Sequence, residues 1–93
     1  MNELEFPFTE NVFSHELLQR EGMVCLINRS KPRHWHYEVV KLKVNPAGER
    51  FGKWYPEREV YPSNKEWGSY GFTYQSGQLK TATQRYQLKK EEG

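Results

Sequence analysis

The sequence predicts an α+β fold, one small domain over residues 1–93 with a mainly antiparallel sheet of three or four strands between an N-terminal and a C-terminal helix. Three observations predict it. Short runs of alternating apolar and polar residues in the middle of the chain are closed by Gly, Pro or Asn, as strands joined by turns are. Apolar residues near both ends fall at helical spacing. Three Trp, six Tyr and five Phe in 93 residues supply the core of so short a chain, each ring burying about 150–250 Å². At a mean hydropathy of -1.00 that core is thin and leaves several rings half covered, which suits a surface for a partner.

Each element follows in order. Leu4, Phe6 and Phe8 alternate around Pro7 as an extended lead-in. Val12, Phe13, Leu17 and Leu18 share a helical face, so a first helix is expected over about residues 9–21, capped by Gly22. Residues 1–21 are thus an acidic lead-in and helix, and residues 22–93 a basic sheet with a C-terminal helix. Residues 23–28 fit a buried strand, and residues 29–33, with Pro32, turn into the next. In the strand over residues 34–44, Val40, Leu42 and Val44 define one face, while Trp35 and Tyr37 share the parity of Lys41 and Lys43. Either a β-bulge near Val39 and Val40 turns the rings into the core, or a regular strand shows Trp35, Tyr37, Lys41 and Lys43 to solvent.

Asn45-Pro46-Ala47-Gly48 reads as a turn. The return over residues 51–60 is an edge strand or is interrupted, because Pro56 withholds a ladder donor. Ser63 with Glu66 three residues on starts a short helical turn that delivers Trp67. In residues 67–74, two glycines and a run of rings specify shape closely, with Tyr70, Phe72 and Tyr74 alternating on one face. Ser76 and Gly77 open a last helix with Leu79, Ala82 and Tyr86 on one face and Lys89 and Lys90 at its C-terminal end. Trp67, Phe72 and Tyr86 are expected to pack together.

Charge is unevenly placed. Residues 1–21 hold Glu3, Glu5, Glu10, Glu16 and Glu21 against Arg20 alone, while residues 22–93 hold 13 basic and 7 acidic residues. Five glutamates on a solvated helix face, or a shield for the basic body, both fit that asymmetry. Cys25 is the only cysteine, so no intramolecular disulfide forms and a cytoplasmic location is expected. No apolar run approaches the roughly 18 residues of a spanning helix, and no membrane partner is expected.

No motif carries catalysis. His34 and His36 share a strand face with Glu38, and His15 is a possible distant fourth ligand, a weak pattern for a metal. Cys25, flanked by Val24, Leu26 and Ile27, reads as a small buried hydrophobe. Glu57 and Glu59 read as a solvated strand face rather than a catalytic pair. A non-enzyme without cofactor or metal is the expectation. Binding is better supported, because Arg29, Lys31, Arg33, Lys41, Lys43, Arg50, Lys53 and Arg58 are interleaved with Trp35, Tyr37, Phe51, Trp54 and Tyr55. That mixture suits a protein interface; the alternative is single-stranded nucleic acid, with bases stacked on the rings. The binding residues expected are Trp35, Tyr37, Lys41, Lys43, Trp54, Arg58 and Tyr70.

Two resemblances rest on particular residues. Glu21-Gly22-Met23-Val24, Tyr37-Glu38-Val39-Val40 and Tyr61-Pro62-Ser63 leading into Trp67-Gly68-Ser69-Tyr70-Gly71-Phe72-Thr73-Tyr74, then Ala82 and Tyr86, resemble small proteins encoded by bacteriophages and prophages. The resemblance implies a compact accessory protein that binds host machinery, a host protein that handles nucleic acid being the expected partner. Inhibitors of CRISPR nucleases are one subclass. Trp67-Gly68 followed by Tyr70-Gly71 is also similar to the Trp-Gly-Arg strand of the WGR domain, a nucleic-acid-binding module of poly(ADP-ribose) polymerases, with Ser69 in place of the arginine.

Overall fold

The computed structural model describes residues 2–92. Among the described residues nine strands precede one α-helix: β1 (Phe8–Glu10), β2 (Phe13–Glu21), β3 (Val24–Lys31), β4 (His34–Lys41), β5 (Lys43–Asn45), β6 (Gly48–Arg50), β7 (Lys53–Tyr55), β8 (Arg58–Val60), a 3-10 turn (Asn64–Glu66), β9 (Gly71–Gln75) and α1 (Leu79–Glu92). A five-stranded antiparallel sheet runs β1-β2-β3-β4-β9, and two further pairs, β5-β8 and β6-β7, stand apart from it.

The expected N-terminal helix is not there. Residues 8–21 form the β1–β2 hairpin instead, turned by Asn11 and Val12, both at positive φ (50° and 63°), the backbone signature of a type I′ loop. Phe13, His15 and Leu17 point to one face at a period of two, and His15 is buried. A histidine at the central inward position hid the strand period, while Val12 and Leu18, which completed the apparent helical face, are exposed. The bulge lies here too, between Leu17 and Gln19. It is not at Val39 and Val40, where β4 pairs in unbroken register with β3 and β9.

The sheet is covered on both sides. On one face Val24, Leu26 and Val39 pack with Ala82 and Tyr86 of α1, joined by Tyr37 and Tyr74. On the other, Cys25, Ile27, Val40 and Leu42 meet Leu4 and Phe6 of the lead-in, Leu17, Met23, Tyr61 and Trp67. Trp67 is therefore separated by the sheet from Tyr86, and the expected trio with Phe72 does not form. Phe72 lies instead under Arg85 and Lys89 of α1. Leu79, expected on the inner face of α1, is exposed. Gly71 is required where it stands, because a Cβ there would sit 2.6 Å from the Trp67 ring.

Turns fix the register. Gly22 opens the two-residue loop between β2 and β3 at φ 60°, the position a type II′ turn reserves for glycine. Pro32 and Arg33 alone join β3 to β4, so Arg29 to Lys31 belong to the strand and not to the expected turn. Ser63 and Glu66 close the expected capping arrangement, with Ser63 N–H and Oγ both donating to Glu66 Oε1 at 3.1 and 2.9 Å.

Candidate functional site

Two features stand out from the packed body, an arm and a cleft. The arm is the excursion between β4 and the loop at residues 61–67. Asn45 leads not into a tight turn at residues 45–48 but onward, and the chain reverses at Phe51 and Gly52, both at positive φ. Pro46 and Pro56 flank the break between the β5–β8 and β6–β7 ladders, since proline cannot donate to either. Residues 49–58 are exposed throughout, in a molecule measuring 46 × 33 × 22 Å.

Only the base of the arm is pinned. Arg20 Nη2 lies 2.6 Å from Glu59 Oε2, and Leu4 N–H donates to Glu59 Oε1 at 3.0 Å. Glu59 is thus buried, not part of a solvated face with the exposed Glu57. The Arg20 hydrogen bond holds its carboxyl below the usual range. Asn2 adds backbone bonds to Glu57 and Glu59. Lys43 pairs with Glu66 at 2.6 Å and lies 5.3 Å from the Tyr70 ring centroid. Beyond this base the rings are bare: Phe51 is 103% exposed at the apex, Trp54 69% on one face and Tyr55 38% on the other. Arg50 sits 5.5 Å over the Tyr55 ring.

The expected binding residues divide between two places. Lys43 and Tyr70 meet at the base of the arm, and Trp54 and Arg58 lie along it. Trp35, Tyr37 and Lys41 are on the helix-side face of β4, where Tyr37 packs into the core beneath α1 and Lys41 is half-buried. Trp35 is 51% exposed at the opposite end of that strand, roughly 20 Å from Lys41 at the usual rise per residue. A continuous aromatic and basic platform of all four is not assembled, because Lys43 has left the sheet and α1 covers the middle.

The cleft lies on the face away from α1. His15, Arg29, Glu38 and Thr73, from four adjacent strands, make its floor; Glu10 and Asn11 of the first hairpin and Tyr61, Ser63 and Trp67 of the following loop make its walls, around about 540 Å³. Glu38 is fully buried and takes three partners: Arg29 Nη1 at 3.2 Å and His36 Nε2 at 3.0 Å on one oxygen, and the Tyr61 hydroxyl, which donates to the other. Burial, then the neighbouring Glu38 carboxylate, pushes the Tyr61 hydroxyl pKa far up. His15 stacks flat on Phe8 at 4.3 Å, edge-on to Tyr61. Burial lowers its pKa, and the Arg29 guanidinium lowers it further. Arg29 also lies 4.0 Å over Phe13, and Trp67 Nε1 donates to Thr73 Oγ1 at 2.7 Å.

His34, His36 and Glu38 do share this face, as their spacing suggested, and the β1–β2 hairpin, in place of the expected helix, brings His15 onto it as well. His36 is spent on Glu38 and His34, however, and among the described residues no three His, Cys, Asp or Glu side chains converge on a point that a metal could occupy. Cys25 is sealed in the core, where burial raises its thiol to about 11. Sequence reasoning missed Arg29 and Tyr61 as partners of Glu38, since no spacing rule links residues brought together by a sheet and a distant loop. For the arm the local signal was faint, because Gly52 suits a turn but Phe51 is not a residue that a two-residue hairpin tip selects. Compared with family models, curated proteins and solved structures, the chain matches none.

Proposed function

We propose that this chain is a non-enzymatic accessory protein that binds a partner protein, one that itself handles nucleic acid, through the arm. The observation that carries the reading is the exposure of Phe51, Trp54 and Tyr55 at the end of a ribbon whose base is pinned by Glu59, with Trp54 on one face and Tyr55 on the other. Single exposed rings are ordinary; three on a projection, interleaved with Arg50 and Lys53, have the composition of an interface hot spot. Charge complementarity then asks for an apolar pocket with an acidic rim on the partner. Glu3, Glu5, Glu10, Glu16 and Glu21, exposed on the N-terminal lead-in and the first hairpin, suit the basic surface of a protein that holds nucleic acid. The phage resemblance adds that the partner belongs to the host, that binding inhibits or adapts it in the cytoplasm, and that a CRISPR nuclease is one candidate. The alternative, single-stranded nucleic acid on the face of β4, has less support because α1 lies over that face.

The test is capture of one defined partner from host or phage-infected cells, followed by its affinity for the wild type and for Trp54→Ala. Truncating the ring should weaken binding by about 2 kcal/mol or more with the melting temperature unchanged. Equal affinity for both would sink the arm as the binding element.

A further inference from the structure

The cleft, which the arm reading leaves unused, carries its own inference. Two polar atoms of its floor residues, His15 Nδ1 and Arg29 Nε, are buried without a hydrogen-bond partner, and the two residues pair directly across β2 and β3. Buried polar atoms are nearly always satisfied, so two on directly paired residues call for a cause. A single water would account for one small void, but the cleft encloses about 540 Å³, the scale of a small-molecule pocket.

Charge narrows the guest. An anion would meet Glu38 and Glu10, and a cation would meet Arg29, so a neutral molecule fits best. Arg29 Nε–H can only donate, while a neutral imidazole accepts at one nitrogen. Burial and Arg29 keep His15 in that neutral form. Turned toward the cleft, the paired residues would present a donor and an acceptor, the complement of a planar edge that carries an acceptor beside a donor. The walls are rings already fixed in place, Tyr61 by its bond to Glu38 and Trp67 by its bond to Thr73, and fixed rings stack on a flat guest at little cost in ordering. The Arg29 side chain is 26% exposed and lies 4.0 Å over Phe13, so a guest that uses Nε requires the guanidinium to turn on that ring.

We infer that the cleft binds a nucleobase, with one polar edge on His15 and Arg29 and one face against Tyr61 or Trp67. The base comes from a free nucleoside or from an unpaired position of a nucleic-acid strand, two sources with the same recognition chemistry. The experiment titrates the whole isotope-labelled chain by NMR, first with adenosine, cytidine, guanosine and uridine, then with short single-stranded oligonucleotides. Saturable shifts of Arg29 Nε–H, the His15 ring and the Trp67 indole are expected. Their appearance with nucleosides identifies the free base as the source, and their appearance with oligonucleotides alone identifies the strand.

Arg29→Lys keeps a cation beside Glu38 and over Phe13 but removes Nε–H, and should weaken binding at least tenfold. His15→Phe keeps the stack on Phe8 and removes both ring nitrogens, with the same effect; if it does not fold, Arg29→Lys decides alone. No shift with any nucleoside or oligonucleotide, shifts confined to Phe51 and Trp54 of the arm, or undiminished affinity in folded Arg29→Lys would each overturn the inference.

Discussion

The sheet body and the arm use the same residue types to opposite ends. In the body the central rings have fixed neighbours: Tyr61 is bonded to Glu38, Trp67 to Thr73, His15 is stacked on Phe8, and Tyr86 is buried under the sheet. In the arm Phe51, Trp54 and Tyr55 have little beyond Arg50 beside them. What separates the two is coverage. Both faces of the central strands are covered, by α1 on one side and by the lead-in with the loop at residues 61–67 on the other, while among the described residues nothing covers β6 and β7. The difference teaches that an aromatic residue stabilises this fold where a second element comes back over it and is otherwise left exposed.

The strongest way to break that comparison is to remove the acceptor at the centre of the body. Glu38→Ala strands Arg29, His36 and Tyr61 together, and breaking a buried charge pair in this way costs about 3–5 kcal/mol. Urea denaturation would read it as a large fall in midpoint. A change of about 0.5 kcal/mol or less, the range of a surface substitution, would mean that the body is not held by this network.

Two tryptophans sharpen the comparison with one chemical change. Trp67→Ala opens the packing against Tyr61 and Gly71 and removes the bond to Thr73, so it should cost about 3 kcal/mol. Trp54→Ala should stay within about 0.5 kcal/mol of the wild type. Thermal unfolding of the pair separates them, and equal losses would place Trp54 in a core.

How far the sequence could be read follows the same division. Strands β3 and β4, the capping pair Ser63 and Glu66, the strand at β9 and the last helix were legible, because local pattern and final environment agree there. The first hairpin was not, since His15 takes a core position and Leu18 sits at a bulge, so the polar and apolar labels stopped reporting burial. Glu59 failed for a similar reason, buried by Arg20 across 39 positions of sequence. The cleft was half legible: His34, His36 and Glu38 were seen to share a face with His15 as a possible distant partner, but Arg29 and Tyr61 reach Glu38 only through sheet pairing and a long return. Among the proposed contact residues, Trp54 and Arg58 keep a place on the arm, whereas Tyr37 was claimed by α1.

Backbone strain offers a smaller test that sets the two hairpin tips against each other. Val12 and Phe51 are both held at positive φ (63° and 53°) with exposed side chains, a conformation that disfavours a β-branched or bulky residue. Val12→Gly should raise stability by about 1 kcal/mol, the relief of the left-handed region less the entropy glycine adds to the unfolded chain, and leave partner binding intact. Phe51→Gly should also raise stability yet weaken partner binding. A stable Phe51→Gly protein with full affinity would show that the strained apex serves no contact.

The smallest effect expected is on the pH dependence of the body, and its sign follows from His15. Burial first, and then the Arg29 guanidinium, hold its folded-state pKa below the ordinary 6.5, against weaker opposition from Glu38, the Phe8 backbone and Glu10. As pH falls below 6.5 the unfolded chain takes up a proton that the folded chain refuses, so the stability due to neutral His15 is complete above that value and is lost on acidification until the lowered folded pKa is passed. Glu59 and Glu66, depressed by Arg20 and Lys43, lose their contributions only lower, below the ordinary 4.5, which keeps the two windows apart. Denaturation midpoints measured between about pH 7.5 and about pH 5 should therefore fall in the wild type, as expected for a buried neutral histidine, and stay level in His15→Phe. A slope of the same size in the variant would mean that His15 is not the pH-sensitive element of the body.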